Sequence, residues 1–299
     1  MELKGFQGTK VSLISLGLAV LIFLIKIFAY LITKSVAIYS DAMESTINIF
    51  SALTAFIGLK IALKPPDPEH PYGHTKIEYL FSIVEATFIF IASISILWKA
   101  FQNLQTPQPP PNLNQGFVLI GITLVLNGFI SFIAYLQGKK ENSPILIAHA
   151  HHIFTDVLTT LGVMIGLFVA KFFNIWILDP LIAMVLGVNI LYMGYKITKE
   201  SINSLLDASL PKEKVDSIKN IISETIKNHP QKEQIHDIHE FKTRRAGRKG
   251  FVEFHLTVSE TMSIKSAHDI CNEIEKNISE KHGDIKVTIH IEPDEKKKP

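Results

Sequence analysis

Apolar residues dominate the first two thirds of the chain, in runs long enough to cross a lipid bilayer. A membrane-spanning helix needs about 20 mostly apolar residues, and six segments reach or approach that length. They are Val11–Ile32, Ala37–Ala62, Ile77–Phe101, Gly116–Leu136, Ile145–Phe173 and Pro180–Ile197. Proline-rich stretches follow the second and third segments, where connections between helices are expected. The pattern therefore predicts six transmembrane helices.

The starts of the last two spans carry helix-initiation signals. Ser143-Pro144 and Asp179-Pro180 each combine an N-cap residue with a proline at the first helical position. We therefore expect Ser143 and Asp179 to cap their own helices. Lys26 lies near the outer end of the first span, and we expect its ammonium group to reach the lipid–water interface.

Lysines are distributed unequally between the two sides of the membrane. One side holds most of them, at the N-terminus, in the loops after spans two and four and after span six, namely Lys4, Lys10, Lys64, Lys76, Lys139, Lys140, Lys196 and Lys199. Positively charged loops face the cytoplasm. Both termini are therefore predicted to be cytoplasmic, which agrees with an even number of spans.

The pattern changes at about Leu210 from long apolar runs to amphipathic elements. Two helices and three strands are predicted, in the order helix Lys212–Asn228, strands Ile235–Arg245 and Phe251–Val258, helix Ile264–Lys281 with Ser263 as its N-cap, and strand Ile285–Ile291. This α-β-β-α-β order predicts a ferredoxin-like α+β domain with both helices on one face of the sheet. The predicted domains are residues 1–207 in the membrane and 208–299 in the cytoplasm.

Composition supports this division and excludes two classes of function. Hydrophobic residues make up 47% of the chain, and charged residues are concentrated after Lys199. The formal net charge of +2 is too small to indicate nucleic-acid binding, and the tail lacks the aromatic strand with which a sheet stacks RNA bases. The single cysteine, Cys271, excludes a thiolate metal cluster.

Two pairs of polar residues stand out within the spans, where ionisable side chains usually mark a function. Glu44 and Asn48 lie in the second span, and His152 and Asp156 lie in the fifth. Each pair is four residues apart and therefore projects from one helix face. These four residues, the intramembrane quartet, offer one imidazole nitrogen and three oxygen donors, which can complete a four-coordinate site for a divalent ion such as Zn²⁺. The alternative is hydrogen bonding between the helices without metal.

Other polar residues of the spans have a structural interpretation. Glu78, Glu85, Asn127 and Asn189 are expected to form hydrogen bonds that fix helix packing. Asp41 is ambiguous, because it shares a helix stripe with Glu44 but lies nearer the outer end of the span.

The loop after the second span and the tail contain further metal-ligand residues. Asp67, His70 and His74 could hold a second ion, although a solvated turn explains the loop equally well. In the predicted sheet, the apolar residues of two strands must face the helices, which places His255, His290 and Glu292 on the uncovered face. His239 and His268 can join them. We therefore expect a metal site or a dimer contact on this face of the tail.

Taken together, these motifs resemble the cation diffusion facilitator family almost from end to end. The matching segments are Ser40–Asn48, His70–Glu78, His152–Asp156, Asp237–Gly247 and Ile289–Pro293. The resemblance implies a homodimer that exchanges a cytoplasmic divalent metal for protons by alternating access. It implies transport through the intramembrane quartet, a loop site on Asp67, His70 and His74, and regulatory metals at the tail interface. The tail ligands implied are His239, His255, His268, His290 and Glu292, and Lys76 and Asp207 match an interlocking salt bridge near the dimer hinge.

One departure from the family pattern leaves the metal open. Zinc-type members commonly have two aspartates four apart in the second span, where this chain has Glu44 and Asn48. We expect Zn²⁺ first, with Fe²⁺, Co²⁺, Ni²⁺ and Mn²⁺ as alternatives, because the donor set is rich in oxygen and free of sulfur. The predicted location is a prokaryotic inner membrane. Two other functions stay open: a membrane-anchored metal sensor and an intramembrane metallohydrolase, although the chain lacks a His-Glu-x-x-His motif.

Overall fold

The computed structural model describes residues 2–141, 144–247, 249–283 and 285–294. Within its helices, the side chains of residues 2–16, 55–56, 138, 141, 144–146 and 148–149 are not described. Residue contacts divide the chain into two compact units. One contains Met1–Thr54 and Val84–Ile197, and the other contains Ala55–Ile83 and Thr198–Pro299. The predicted domain boundary at residue 207 stays a prediction.

Six long helices precede the tail, in the order that the apolar runs predict. They are α1 (Glu2–Thr33), α2 (Val36–Ala62), α3 (Ile77–Gln105), α4 (Leu113–Glu141), α5 (Pro144–Phe172) and α6 (Leu178–Leu205). In the described part of the chain, α2 to α6 are each long and apolar enough to cross a membrane, and Gly17–Thr33 of α1 forms a shorter apolar helix. Many large apolar side chains on these helices are exposed, among them Ile94, Trp98, Val125 and Val185. Such surfaces are stable in contact with lipid.

Among the described residues, the interior of the first unit contains three apolar clusters, and two of them include helix α2. In one, Ala29 of α1 and Ile38 of α2 pack with Ile120 of α4 and Leu167 of α5. In the other, Val36 of α2 packs with α3 and α6 through Ile89, Ile96, Ala183 and Ile190. Helix α2 contributes to both clusters, so its position is fixed from two sides.

The start of α2 is held by a carboxylate from α6. Asp179 Oδ2 accepts a hydrogen bond of 3.0 Å from the Val36 N–H, and Oδ1 accepts bonds from the Ala37 N–H (2.9 Å) and the Ser35 hydroxyl (2.6 Å). The prediction that Asp179 caps its own helix is therefore wrong, since α6 already begins at Leu178. A carboxylate at a helix N-terminus satisfies N–H groups that lack intrahelical partners. Ser143, the other predicted cap, lies outside the described residues.

The tail forms the predicted α+β fold. After α7 (Lys212–Asn228) and a 3₁₀ turn (Lys232–Gln234) come β1 (Ile235–Ala246), β2 (Lys249–Val258), α8 (Ile264–His282) and β3 (Ile285–Pro293). The sheet order is β1-β2-β3, with β1 antiparallel and β3 parallel to β2. The Ser263 hydroxyl accepts a 3.1 Å hydrogen bond from the Ser266 N–H and caps α8 as predicted.

Both tail helices cover the same face of the sheet. Ile218 and Ile222 of α7 and Ile270 and Ile274 of α8 pack against β2, where alternate residues point into the core. The inward residues of β2 are Val252, Phe254, Leu256 and Val258. The opposite face of the sheet is left for polar residues, which confirms the predicted architecture of transmembrane helices followed by a ferredoxin-like domain.

Candidate metal centres

The structure brings the two halves of the intramembrane quartet into contact. The Asn48 amide of α2 donates a 2.9 Å hydrogen bond to Asp156 Oδ2 of α5. Glu44 lies one turn from Asn48 and is close enough to Asp156 of α5 for the two carboxylates to interact electrostatically. The two polar faces of α2 and α5 therefore meet, as their i,i+4 spacing predicts.

The quartet is not drawn together to coordination distances. Among the described residues, two other groups of acids and histidines have ligand atoms that all lie within 4.8 Å of one another, and neither includes Glu44, His152 or Asp156. His152 interacts electrostatically with Asp156 but is exposed on α5. Glu44 and Asp156 carry like charges and repel each other. A cation between them would remove that repulsion and allow the donors to approach.

A buried charged cluster lies beside the quartet. Lys26 of α1 donates to Asp41 Oδ1 of α2 at 2.9 Å and contacts the Thr160 hydroxyl of α5 at 3.1 Å, and Thr160 donates to the same oxygen of Asp41 at 2.8 Å. Lys26 is 2% exposed, and Asp41 and Thr160 are fully buried. The prediction that Lys26 reaches the membrane interface is wrong, because its ammonium group is paired inside the helix bundle.

This cluster was not predicted, although the sequence contains a signal for it. Opposite charges on two neighbouring spans, Lys26 and Asp41, are expected to pair because an unpaired charge in lipid is costly. Of the other in-span residues, Glu85 behaves as predicted, since it accepts a 2.5 Å hydrogen bond from the Ser51 hydroxyl and links α3 to α2.

The loop after α2 holds the three predicted donors in one cluster. Asp67 Oδ1 lies 3.1 Å from His70 Nδ1, and Asp67 Oδ2 lies 3.2 Å from His74 Nε2. Their ligand atoms all lie within 4.8 Å of one another. The His70 N–H also donates to Asp67 at 2.7 Å, which lowers the pKa of that carboxyl group. The loop is therefore both a hydrogen-bonded turn and a group of donors spaced for a metal ion.

The tail cluster consists of His239, His255 and Glu292 on the uncovered face of the sheet. His255 Nδ1 lies 2.8 Å from Glu292 Oε1, and His239 Nε2 lies 3.3 Å from Glu292 Oε2. Register explains the grouping, because His239 pairs with His255 across β1 and β2, and His255 pairs with His290 across β2 and β3. His290 is adjacent, with Nε2 at 3.7 Å from Glu292 Oε1.

Of the five tail residues that the resemblance implied, His268 is not placed with the others. It is exposed near the start of α8, a helix that packs on the other face of the sheet, and it does not belong to the group with closely spaced ligand atoms. Two unpredicted carboxylates do approach the cluster. Asp237 Oδ2 lies 3.3 Å from His239 Nδ1, and Glu240 Oε2 lies 3.8 Å from His255 Nε2.

Glu240 reaches the cluster because of an irregularity in β1. The register shifts between His239 and Lys242, and Glu240 has a positive φ of 48°. Such a bulge breaks the regular alternation of side chains between the two faces of a strand. The sequence pattern therefore did not predict that Glu240 lies beside the cluster. The hydrogen bond from Lys242 lowers the pKa of Glu240 and keeps it anionic.

The salt bridge implied by the resemblance is present. Lys76 Nζ lies 2.8 Å from Asp207 Oδ1, and Arg244 lies 3.5 Å from the same oxygen. The hydrogen bond from Lys76 lowers the pKa of Asp207. Nearby, the Gly247 N–H donates a 2.8 Å hydrogen bond to the Tyr79 hydroxyl. These contacts join the start of α3 to β1 within the second unit.

Comparisons with known proteins show the family to which the chain belongs. The chain matches the family models of the cation efflux transmembrane domain over residues 12–206 and of the cation efflux protein cytoplasmic domain over residues 210–294. It is 38% identical over 282 residues to an uncharacterized transporter of Synechocystis sp., which covers 94% of this chain and 89% of that protein.

Two further comparisons come from the same group of proteins. The chain is 28% identical over 286 residues to the cation-efflux pump FieF of Yersinia pestis, covering 94% of this chain and 91% of that pump. A solved zinc form of the transporter CzrB covers 30% of this chain and 97% of its own, at 34% identity and a TM-score of 0.27. Because the two family models together match residues 12–206 and 210–294, the chain is an integral membrane protein for metal cation efflux and belongs to the cation diffusion facilitator family.

Proposed function

We propose that this chain is a proton-coupled antiporter that exports a divalent transition-metal ion from the cytoplasm through Glu44, Asn48, His152 and Asp156. The hydrogen bond between Asn48 and Asp156 carries the proposal, because it places the polar faces of α2 and α5 against each other. An ion held there would contact both helices at once. Movement of one helix relative to the other would then change the site, which is a requirement of alternating access.

Competition between metal and protons supplies the coupling. Metal binding requires ionised carboxylates and a neutral imidazole, so protons and the ion compete for the same groups. Glu44, His152 and Asp156 can each take up a proton, whereas the Asn48 amide cannot. We propose that metal loads from the cytoplasmic side and that protons displace it on the other side.

Nitrogen and oxygen donors define the class of cargo. One imidazole and three oxygen ligands suit Zn²⁺ and also accept Fe²⁺, Co²⁺, Ni²⁺ and Mn²⁺. We propose Zn²⁺ as the first cargo to test, within a prokaryotic inner membrane and with both termini in the cytoplasm.

The loop cluster and the tail cluster fit additional ions that are not cargo. Asp67, His70 and His74 already place their ligand atoms within 4.8 Å of one another, as do His239, His255 and Glu292. His290 is near enough to be a fourth ligand of the tail cluster. His268 lies apart from this cluster, so a His268 that joins it would have to come from a second copy of the tail. We propose that these metals act on a homodimer through the cytoplasmic domain.

Flux measured in proteoliposomes tests the function. Purified protein is reconstituted, the metal is added on one side, and metal uptake and proton movement are recorded together for Zn²⁺, Fe²⁺, Co²⁺, Ni²⁺ and Mn²⁺. We expect metal entry to drive protons in the opposite direction for at least one ion and Asp156→Ala to abolish both signals. Metal uptake with no proton movement would remove the antiport mechanism.

A matched control separates loss of the site from loss of the fold. Glu280 is an exposed tail carboxylate paired only loosely with Lys276, at 3.9 Å. Glu280→Ala should keep wild-type flux, and Asp156→Ala should elute as the same species in size-exclusion chromatography. If Asp156→Ala transports metal as well as the wild type, the quartet is not the transport site.

A further inference from the structure

The buried cluster of Lys26, Asp41 and Thr160 joins three helices through one carboxylate oxygen. Asp41 Oδ1 accepts hydrogen bonds from both Lys26 and Thr160, at 2.9 Å and 2.8 Å. Asp41 Oδ2, in contrast, is buried and has no hydrogen-bond partner among the described residues. A buried carboxylate with one unsatisfied oxygen is costly unless a cation or dipole nearby stabilises it.

The cluster lies one helical turn beyond the quartet on both helices. On α2, Asp41 comes three residues before Glu44, and on α5, Thr160 comes four residues after Asp156. Residues at these spacings share a helix face. The charges of Lys26 and Asp41 also act on the carboxylates of both Glu44 and Asp156. Cluster and quartet therefore form one continuous set of charges.

Counting those charges suggests a role. Asp41, Glu44 and Asp156 contribute three negative charges when ionised, and Lys26 contributes one positive charge. The set then carries two negative charges, which one divalent ion neutralises. In a low-dielectric interior a neutral assembly is strongly favoured over one with an excess charge.

We propose, on the basis of the proposed transport function, that Lys26 and Asp41 are positioning residues that set the net charge of the quartet to match one divalent cation. Lys26 has no lone pair when protonated and cannot be a metal ligand. It is a fixed cation that balances Asp41 and repels a second ion. Asp41 holds this cation in place through the 2.9 Å contact and is not itself a ligand.

Three variants separate the effect of charge from the effect of the side chains. Asp41→Asn leaves Lys26 uncompensated, Lys26→Met leaves Asp41 uncompensated, and the double variant removes both charges and restores the net balance. Each is reconstituted as the full chain, and initial rates of Zn²⁺ uptake give KM and kcat. Because neighbouring charges are involved, the double-variant cycle measures their coupling directly.

Opposite results are expected for the two single variants. Asp41→Asn should raise KM by about tenfold or more, because an unbalanced ammonium group repels the ion. Lys26→Met should leave KM unraised and lower kcat, because the excess negative charge retains the ion. The double variant should return KM to within about threefold of the wild type.

Other results would overturn the inference. If the double variant keeps the raised KM of Asp41→Asn, the Asp41 carboxylate acts as a ligand and not through net charge. If Asp41→Asn has the wild-type KM, the pair has no influence on the ion. If the proposed transport function itself is wrong, Asp156→Ala will retain flux. That result does not depend on how the Lys26 and Asp41 variants behave.

A lysine elsewhere on the same helices provides the matched control. Lys171 is near the end of α5, is exposed, and hydrogen-bonds to Asn114. Lys171→Met should leave both KM and kcat unchanged. The unfolding temperature of each variant, measured in detergent, shows whether an altered KM accompanies a damaged fold.

Discussion

The intramembrane quartet and the tail cluster contain similar donors in opposite surroundings. The quartet combines carboxylate, amide and imidazole groups between two helices, next to a fully buried ion pair. The tail cluster lies on an open sheet face, where the side chains of His239 and Glu292 are 41% and 33% exposed. Water can balance the charges of the tail cluster, whereas the charges of the quartet must be balanced by other protein groups or by the ion.

This difference supports the different roles that we propose for the two clusters. Exposed donors that already lie close together can gain or lose a metal with little rearrangement, which suits a regulatory site. The half-buried carboxylates of the quartet repel each other, so a bound cation should stabilise them and its release should separate them again. The comparison predicts that substitutions in the quartet affect flux and that substitutions in the tail cluster affect metal binding by the tail.

The largest expected effect follows from removing one charge of the quartet. Glu44→Gln preserves the side-chain shape but removes the charge of a proposed ligand, and loss of one charged partner in a low-dielectric site costs about 3–5 kcal/mol. We expect uptake in proteoliposomes, measured as kcat/KM, to fall about 100-fold or more. Glu280→Gln is the matched control and should keep wild-type uptake; equal uptake by the two variants would contradict the assignment.

A substitution in the tail cluster should weaken metal binding by the tail and leave flux intact. His255 contacts Glu292 at 2.8 Å and pairs with both neighbouring strands. His255→Ala removes a proposed ligand and should weaken the tail's metal affinity by more than the roughly 10–100-fold that metal sites lose with an outer hydrogen-bond partner, while flux at saturating metal continues. Metal binding is measured by calorimetric titration, and metal uptake is measured on the same preparation. Complete loss of flux would instead favour a sensor whose tail controls all output.

Gly247 tests the contact between the start of α3 and the tail strand. Its φ is +59°, and an added Cβ would lie 2.5 Å from the Thr75 carbonyl oxygen. Gly247→Ala should lower stability by at least about 1–2 kcal/mol, because a left-handed conformation strains any residue with a Cβ. The readout is hydrogen exchange of β1 and of the Thr75 segment, with Gly128→Ala, where an added Cβ meets nothing within 4 Å, as the control. Unchanged exchange would show that the contact is dispensable.

The smallest effect is expected at the salt bridge between Lys76 and Asp207. Both side chains are at least 40% exposed, and exposed pairs contribute about 0.2–1 kcal/mol. Because the pKa of Asp207 is lowered from its ordinary value of 3.8, the bridge contributes fully above pH 3.8 and is lost as the pH falls through the lowered pKa.

Lys76→Met should therefore lower the unfolding temperature slightly and equally at pH 6 and pH 8. The difference from the wild type should vanish in strong acid, where Asp207 is protonated. A difference that grows on acidification would show that another group, and not Asp207, is the partner of Lys76.

Much of the fold follows from periodicity alone. The apolar runs locate the six long helices because lipid permits only segments whose backbone groups are satisfied internally. The tail elements follow from alternation and from the cap at Ser263. The register of β2 also placed His255 on the uncovered face, because a strand with one buried face has only one possible orientation.

What the sequence did not reveal depends on contacts between distant segments. Asp179 reads as the cap of its own helix, yet it binds the start of α2, because helix ends far apart in sequence meet in the bundle. Lys26 reads as an interfacial lysine until Asp41 and Thr160 are placed beside it. Glu240 reaches the tail cluster only through a bulge, and spacing alone does not show that His268 lies away from the other predicted ligands.

Parallel measurement of Zn²⁺ uptake by Asp156→Ala and His255→Ala separates transport through the quartet from metal binding by the tail. Both full-length variants are reconstituted at equal density, and tail metal occupancy is determined in the same vesicles. We expect Asp156→Ala to lose uptake but retain tail metal, and His255→Ala to lose tail metal but retain uptake. Uptake by Asp156→Ala at the wild-type rate would show that the quartet is not the transport site.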